Sequence, residues 1–166
     1  MSAVGTRTGM GWDSHRLAAG RPLILGGVEF TDAPLGLDGH SDADVLTHAV
    51  MDALLGAACL GDIGVLFPDT DPAYAGADSV ALLREVVTAV AAAGWRVTHV
   101  DATVLMERPK VGPYRDAIRA TLAAALGLDV RDVNVKASTG EGMGFVGRLE
   151  GVAALAVATV ERTPAS

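Results

Sequence analysis

The apolar part of this chain is built almost without rings. Half of the 166 residues are hydrophobic, yet only three Phe, two Trp and two Tyr are present, so a core has to be made mostly of Ala, Val and Leu. Twenty Gly and seven Pro mark turns or places where backbones come close together. A chain of this length buries roughly two-thirds of its unfolded surface, enough for one core without covalent staples. No internal repeat or linker divides it, so one unit over residues 1–166 is expected.

Periodicity orders the elements. Residues 5–15 and 23–30 read as extended, with a Gly20-Arg21-Pro22 turn between them and Gly26-Gly27 breaking the second. Residues 31–40 read as loop. A helix is expected from Ser41, as N-cap, to Cys59, with Asp42 and Asp44 in its first turn, where the dipole favours carboxylates. A loop with three Asp and two Pro fills 61–72. A second helix spans Asp78 to Ala93, with Gly94 as C′ residue. Val97–Met106 reads as a strand, Pro113 opens a third helix that ends before Gly127, and Val133–Ala137 and Gly151–Val160 read as strands. This order predicts an α/β (α+β) chain: a single mixed β-sheet layer with helices packed on one face.

Charge and composition exclude several functions. The net charge is −7, and no Lys/Arg cluster exists to neutralise phosphates, so no nucleic-acid partner is expected. Cys59 is the only cysteine, which excludes an intramolecular disulfide and suits a reducing compartment. The apolar run Val152–Val160 is too short to span a bilayer, and Arg7, Asp13 and His15 arrive before any apolar leader. A soluble cytoplasmic protein with no membrane partner is the expectation.

A few residues could carry chemistry. On a strand, Asp13 and His15 project to one face; such a pair is more often a surface hydrogen bond than a ligand pair. Asp44, His48 and Asp52 share a helix face at i, i+4 and i+8, which by itself reads as a solvated polar stripe. Together, Asp13, His15 and His48 supply one carboxylate and two imidazoles, the three-ligand set of a catalytic Zn²⁺ with its fourth position open. Spacing alone does not bring the strand to the helix. Arg108-Pro109-Lys110, ahead of Gly112-Pro113, suits a phosphate at a helix N-terminus, although an ordinary loop is the plainer reading. In Lys136–Gly151 five of sixteen residues are Gly, mixed with Ser, Thr, Glu, Lys and Arg. That is a good anion or nucleotide cradle, without P-loop spacing.

Taken in order, these residues resemble the 2-C-methyl-D-erythritol 2,4-cyclodiphosphate synthases. The similar motifs are Gly11-Trp12-Asp13-Ser14-His15; His40-Ser41-Asp42-Ala43-Asp44 with His48; Asp52 to Ala58; Gly61-Asp62-Ile63-Gly64; and Phe67-Pro68-Asp69-Thr70-Asp71. Arg108-Pro109-Lys110, Val133 to Ala137 with Thr139 and Glu141, and Gly144-Phe145 with Gly147-Arg148 and Glu150-Gly151 complete the set, from about residue 7 to 160.

The resemblance implies a reaction and a site. The 2-phosphate of 4-diphosphocytidyl-2-C-methyl-D-erythritol 2-phosphate attacks the β-phosphorus, giving the cyclic diphosphate and CMP. Asp13, His15 and His48 would bind Zn²⁺, and Glu141 a second divalent ion, Mg²⁺ or Mn²⁺. His40, Thr139 and Lys110 would act on the reacting phosphates. Ser41, Asp62, Ile63, Gly64, Phe67, Pro68, Asp69, Thr70 and Asp71 would hold the erythritol side. Met106, Glu107, Arg108, Pro109, Val111, Gly112, Ser138 and Gly140 would hold the cytidine side. The family is a homotrimer around a three-fold axis, with active sites between subunits. An axial cavity near Phe145, Arg148 and Glu150 can take an isoprenoid diphosphate. Four positions depart from the family's pattern: Leu149 stands where a glycine is expected, Gly140 replaces a threonine and implies a looser loop, and Met106-Glu107 replace smaller residues.

Two other readings compete. A zinc phosphohydrolase would need a base such as Asp44, Asp52 or Asp62 beside a metal-bound water, and would give a linear product instead of a ring. A non-catalytic trimer stapled by structural zinc fits poorly, since such sites are usually four-ligand and Cys-rich.

Overall fold

The computed structural model describes residues 5–164; residues 1–4 and 165–166, the two ends of the expected 1–166 unit, lie outside the described residues. Strand β1 (Thr6–Ala18) pairs antiparallel with β7 (Gly151–Arg162), and β7 pairs antiparallel with β5 (Trp95–Leu105) on its other edge. β6 (Val133–Ser138) lies parallel to β5, and the short β4 (Gly36–Leu37) closes the other end beside β1. The order is β4-β1-β7-β5-β6. A parallel pair needs a crossover, and α4 (Arg115–Leu126) supplies it. This is the expected mixed sheet, with one correction. Residues 23–30 do not join it; β2 (Ile24–Leu25) and β3 (Val28–Glu29) form a separate hairpin. Gly26 and Gly27, at φ 57° and 73°, make the positive-φ turn that folds this segment on itself.

Side chains alternate across the sheet. Val152, Ala154, Ala156, Ala158 and Val160 of β7, with Val100, Ala102 and Val104 of β5, are buried beneath α1 (Val45–Ala58), α3 (Ser79–Ala92) and α4. The opposite face keeps a bare apolar row: Met10, Trp12 and Val157 are 67%, 48% and 40% exposed.

The scarcity of rings has its counterpart in the seam between α1 and β1. A Cβ on Gly11 would lie 1.9 Å from the Ala49 carbonyl oxygen, and one on Gly9 2.1 Å from that of Ala53. The helix therefore rests directly on strand backbone. Only Gly on the strand and Ala on the helix permit that approach.

Helix α1 begins three residues later than expected. Asp44, not Ser41, is its N-cap, because the Asp44 carboxylate reaches the Thr47 N–H at 3.0 Å. Ser41 and Asp42 precede the helix. Asp44 is fully buried and also accepts from Thr47 Oγ1 (2.7 Å) and from the N–H groups of Gly26 (2.9 Å) and Gly27 (2.7 Å). It thus ties the β2–β3 hairpin to α1. Asp44→Ala is expected to cost about 3 kcal/mol, since it strands buried donors and removes a cap; the denaturant midpoint should fall with its slope unchanged.

The 61–72 segment is more structured than a loop. Asp62 caps the short α2 (Ile63–Leu66) and Asp71 caps a 3-10 turn at Pro72–Tyr74. Pro113 lies in a 3-10 turn, Gly112–Tyr114, so α4 itself starts at Arg115; Gly127 stops it in the left-handed region, as expected. The Gly-rich stretch contains α5 (Gly144–Gly147). Among the described residues, no helix is long and apolar enough to cross a membrane.

Candidate active site

Asp13 and His15 leave β1 on its helix-facing side. Because α1 lies against Gly11 at Ala49, the preceding residue, His48, comes down over Asp13. Asp13 Oδ2 is 2.9 Å from His48 Nδ1 and 3.0 Å from His15 Nε2, and the two ring nitrogens are 3.2 Å apart. Four-coordinate zinc with N and O ligands at about 2.0–2.2 Å needs neighbouring donors roughly 3.3 Å apart. The three side chains already converge on one point at close to that spacing, and their chemistry, two imidazoles and a carboxylate, suits zinc. Burial pushes the Asp13 carboxyl up, but hydrogen bonds and charge from His15 and His48 overcome this and hold it at about 2.

The cluster forms the floor of an open cleft of about 370 Å³. His40, Ser41, Ile63, Gly64, Phe67 and Asp69 line its walls. Sequence reasoning missed Tyr74, which lines the cleft and stands edge-on to Phe67 at 5.3 Å; its signal was an aromatic three residues past the Asp69–Asp71 run. Asp62 and Asp71 hold backbone N–H groups of Val65 and Ala73, and so shape the wall. Pro68 is half-buried and Thr70 exposed between them.

The candidate bases separate clearly. Asp44 is turned away from the cleft and spends both oxygens on the hairpin and its own helix. Asp52 accepts from the Ile63 N–H at 2.8 Å, tying α1 to the start of the cleft wall. Burial, then the negative charges of Asp62 and Asp13, push the Asp52 carboxyl up.

A second cleft, of about 450 Å³, opens at the ends of β5 and β6. Met106, Glu107, Lys110, Val111, Gly112, Ser138 and Thr139 meet there, because the parallel register sets Leu105 against Ser138. Arg108 is exposed and Pro109 half-buried within the same loop. Glu107 accepts from the Gly140 N–H at 2.8 Å, and a Cβ on Gly140 would sit 2.7 Å from Gly147 N. The expectation of a looser loop is thus wrong: the backbone at Gly140 is held by Glu107 and closely packed. Thr139 Oγ1 accepts from the Glu141 N–H (3.2 Å) and donates to the Glu141 carboxylate (3.3 Å); Glu141 is exposed and apart from the Asp13 cluster.

Phe145 lines a smaller cleft with Ser14, His15, Arg16 and Glu150, and Arg148 pairs with Glu150 at 2.9 Å. Leu149 adopts φ 59°, the left-handed region that glycine takes without steric cost, which is why a glycine is expected there. The two large clefts share no lining residue. β1 lies two strands from β5 and three from β6, a separation of roughly 10–15 Å at about 4.8 Å per strand.

Two imidazoles and a carboxylate at the floor of an open cleft, carried by a mixed sheet and its covering helices, form a site that could hold a metal ion in an α/β enzyme. The chain belongs to the YgbB family, whose family model matches residues 6–161. It is 59% identical over 156 residues to the 2-C-methyl-D-erythritol 2,4-cyclodiphosphate synthase of Bordetella petrii, covering 94% of this chain and 96% of that one. It is 60% identical over 152 residues to the synthase of Symbiobacterium thermophilum, covering 92% and 96%. A solved 2C-methyl-D-erythritol-2,4-cyclodiphosphate synthase in its CDP-bound form superposes with TM-score 0.85 at 41% identity, covering 93% and 99%.

Proposed function

We propose that this protein converts 4-diphosphocytidyl-2-C-methyl-D-erythritol 2-phosphate to 2-C-methyl-D-erythritol 2,4-cyclodiphosphate and CMP, as a phosphorus–oxygen lyase of the non-mevalonate isoprenoid pathway. The observation that carries this reading is the convergence of Asp13, His15 and His48 at the cleft floor, in a chain so similar to these synthases. A 2-phosphate oxygen bonds to the β-phosphorus, the bond from that phosphorus to the oxygen bridging it to the α-phosphate breaks, and CMP leaves. The nucleophile is already anionic, so the work left to the protein is positioning and charge neutralisation.

Asp13, His15 and His48 would hold Zn²⁺, which supplies Lewis-acid polarisation of a phosphate oxygen. Glu141 would hold the second divalent ion, Mg²⁺ or Mn²⁺, at the diphosphate. His40 and Ser41 face the cleft and suit the 2-phosphate; Phe67, Asp69 and their neighbours enclose the erythritol. Lys110 brings a cation to the second cleft, and the Thr139 hydroxyl, beside Glu141, would face the diphosphate. A reducing cytoplasmic setting suits the lone exposed Cys59.

One chain does not bring the zinc-side and cytidine-side residues together, and this supports a homotrimer whose active sites form between subunits. The bare row of Met10, Trp12 and Val157 on the outer sheet face is apolar surface of the kind such contacts cover. Trp12→Glu is expected to elute as a monomer, retain zinc, and lose cyclisation by about a hundredfold or more, because the two halves of the site no longer meet. Sizing, metal analysis and turnover on one preparation check this.

Zinc retention should also depend on pH. Burial lowers the His15 value, but the Asp13 carboxylate overcomes this and raises it above the ordinary 6.5. Protons therefore compete for this ligand from above that pH, and zinc affinity falls as pH drops through it, as a chelator competition would show. The activity itself is tested by mass analysis of products: a cyclic diphosphate with CMP supports the reading, and a linear phosphate product indicates hydrolysis instead.

A further inference from the structure

The geometry points to Ser79 and Asp42 as positioning residues that hold the His48 ring with Nε2–H toward Ser79 and Nδ1 toward the metal position, an inference that rests on the metal reading of the Asp13–His15–His48 cluster. Ser79 is fully buried as the first residue of α3. Its Oγ lies 2.9 Å from His48 Nε2, the ring nitrogen facing away from the cluster. The same Oγ makes a short hydrogen bond to Asp42 Oδ1, and the Ser79 N–H donates to Asp42 Oδ2 at 2.9 Å.

Proton counting settles the direction. A carboxylate only accepts, and a hydroxyl has one proton to give. The Ser79 proton is committed to Asp42, so its oxygen offers His48 only lone pairs. His48 Nε2 must then be the donor. Ser41 Oγ, 3.2 Å from the same nitrogen, already takes the Ala43 N–H at 3.2 Å and is a second, longer acceptor. A neutral imidazole that donates at Nε2 has its lone pair at Nδ1, and Nδ1 is the atom that meets Asp13 and His15. With a metal bound, the chain carboxylate–hydroxyl–imidazole thus aims the Nδ1 lone pair at the metal position. Asp42 is itself held, accepting the Asp44 N–H at 3.1 Å. Two acids two residues apart divide the work: Asp44 caps α1, and Asp42 grips the start of α3 and, through it, His48.

The test compares wild type, Ser79→Ala and Asp42→Asn in two measurements. Zinc affinity is read by competition with a chromophoric chelator. The His48 Nε2–H is read from long-range ¹⁵N–¹H spectra of zinc-loaded protein, by the rate at which it exchanges with solvent. Wild type should show a slowly exchanging Nε2–H, and both variants a faster one, with zinc binding weakened about 10–100-fold. The melting temperature of the zinc-free protein controls for a merely structural role. If Ser79→Ala does not fold, Asp42→Asn carries both measurements. Zinc binding within threefold of wild type in a folded variant, or a wild-type Nε2–H that exchanges as fast as in the variants, overturns the inference. A wild-type protein that binds no zinc overturns the metal reading, and the inference with it.

Discussion

His48→Ala is expected to lose bound zinc and to slow CMP release by about a thousandfold or more. The side chain is one of three donors, and the remaining Asp13 and His15 are adjacent on a single strand face, too few to hold a tetrahedral ion. Removing Lewis-acid help with developing phosphate charge costs several kcal/mol, and each 1.36 kcal/mol is tenfold in rate. The fold should survive, because the ring projects into the base of an open cleft and the packed face of α1 is carried by other residues. Elemental analysis, circular dichroism and single-turnover kinetics on the same sample separate these effects. A variant that keeps both zinc and full turnover would remove His48 from the site.

The second large effect is on stability. Gly11→Val places a branched side chain where the first carbon alone would overlap the Ala49 carbonyl oxygen. That atom belongs to helix backbone, so no rotamer change relieves the clash, and α1 has to lift from β1. Overpacking typically costs about 1–3 kcal/mol, and a rigid backbone partner puts this substitution at or above the upper end. For a chain of this size about 3 kcal/mol lowers the melting temperature by roughly 6–12 °C. Lifting α1 also carries His48 away from Asp13. The variant should therefore lose zinc affinity although it alters no ligand, whereas Gly20→Val, at a turn with open space around it, should leave zinc affinity intact.

The two effects show why some of this molecule was legible in its sequence and some was not. The helices α3 and α4 and the strands β5, β6 and β7 follow from local period and glycine stops, and they lie close to where the periodicity places them. The start of α1 differs from the expected one because Ser41, Asp42 and Asp44, all residue types that cap helices, stand within four residues. Only the position of the β2–β3 hairpin and of α3 decides that Asp44 caps α1 while Asp42 turns to Ser79. The hairpin reads as one extended segment because branched apolar residues suit a single strand or a hairpin alike, and only the positive φ of Gly26 and Gly27 shows that the paired glycines are a turn. Asp13, His15 and His48 are recognisable as candidate metal ligands by residue type and by resemblance, but their convergence depends on the Gly–Ala seam, a tertiary contact that spacing does not encode. Ser79 left no signal at all: a serine opening a helix reads as ordinary, and its role comes from what is buried against it. The separation of the two clefts is likewise a property of strand order, which brings β7 between β1 and β5.

The central claim is that this chain closes a ring on its substrate and adds no water. It is tested most directly by turnover in ¹⁸O-labelled water with the cytidyl substrate, zinc and magnesium, followed by mass analysis of both products. Intramolecular attack predicts a cyclic diphosphate and CMP, neither carrying solvent oxygen. One ¹⁸O atom in a linear phosphate product, or in CMP, would show that water is the nucleophile and would contradict the account.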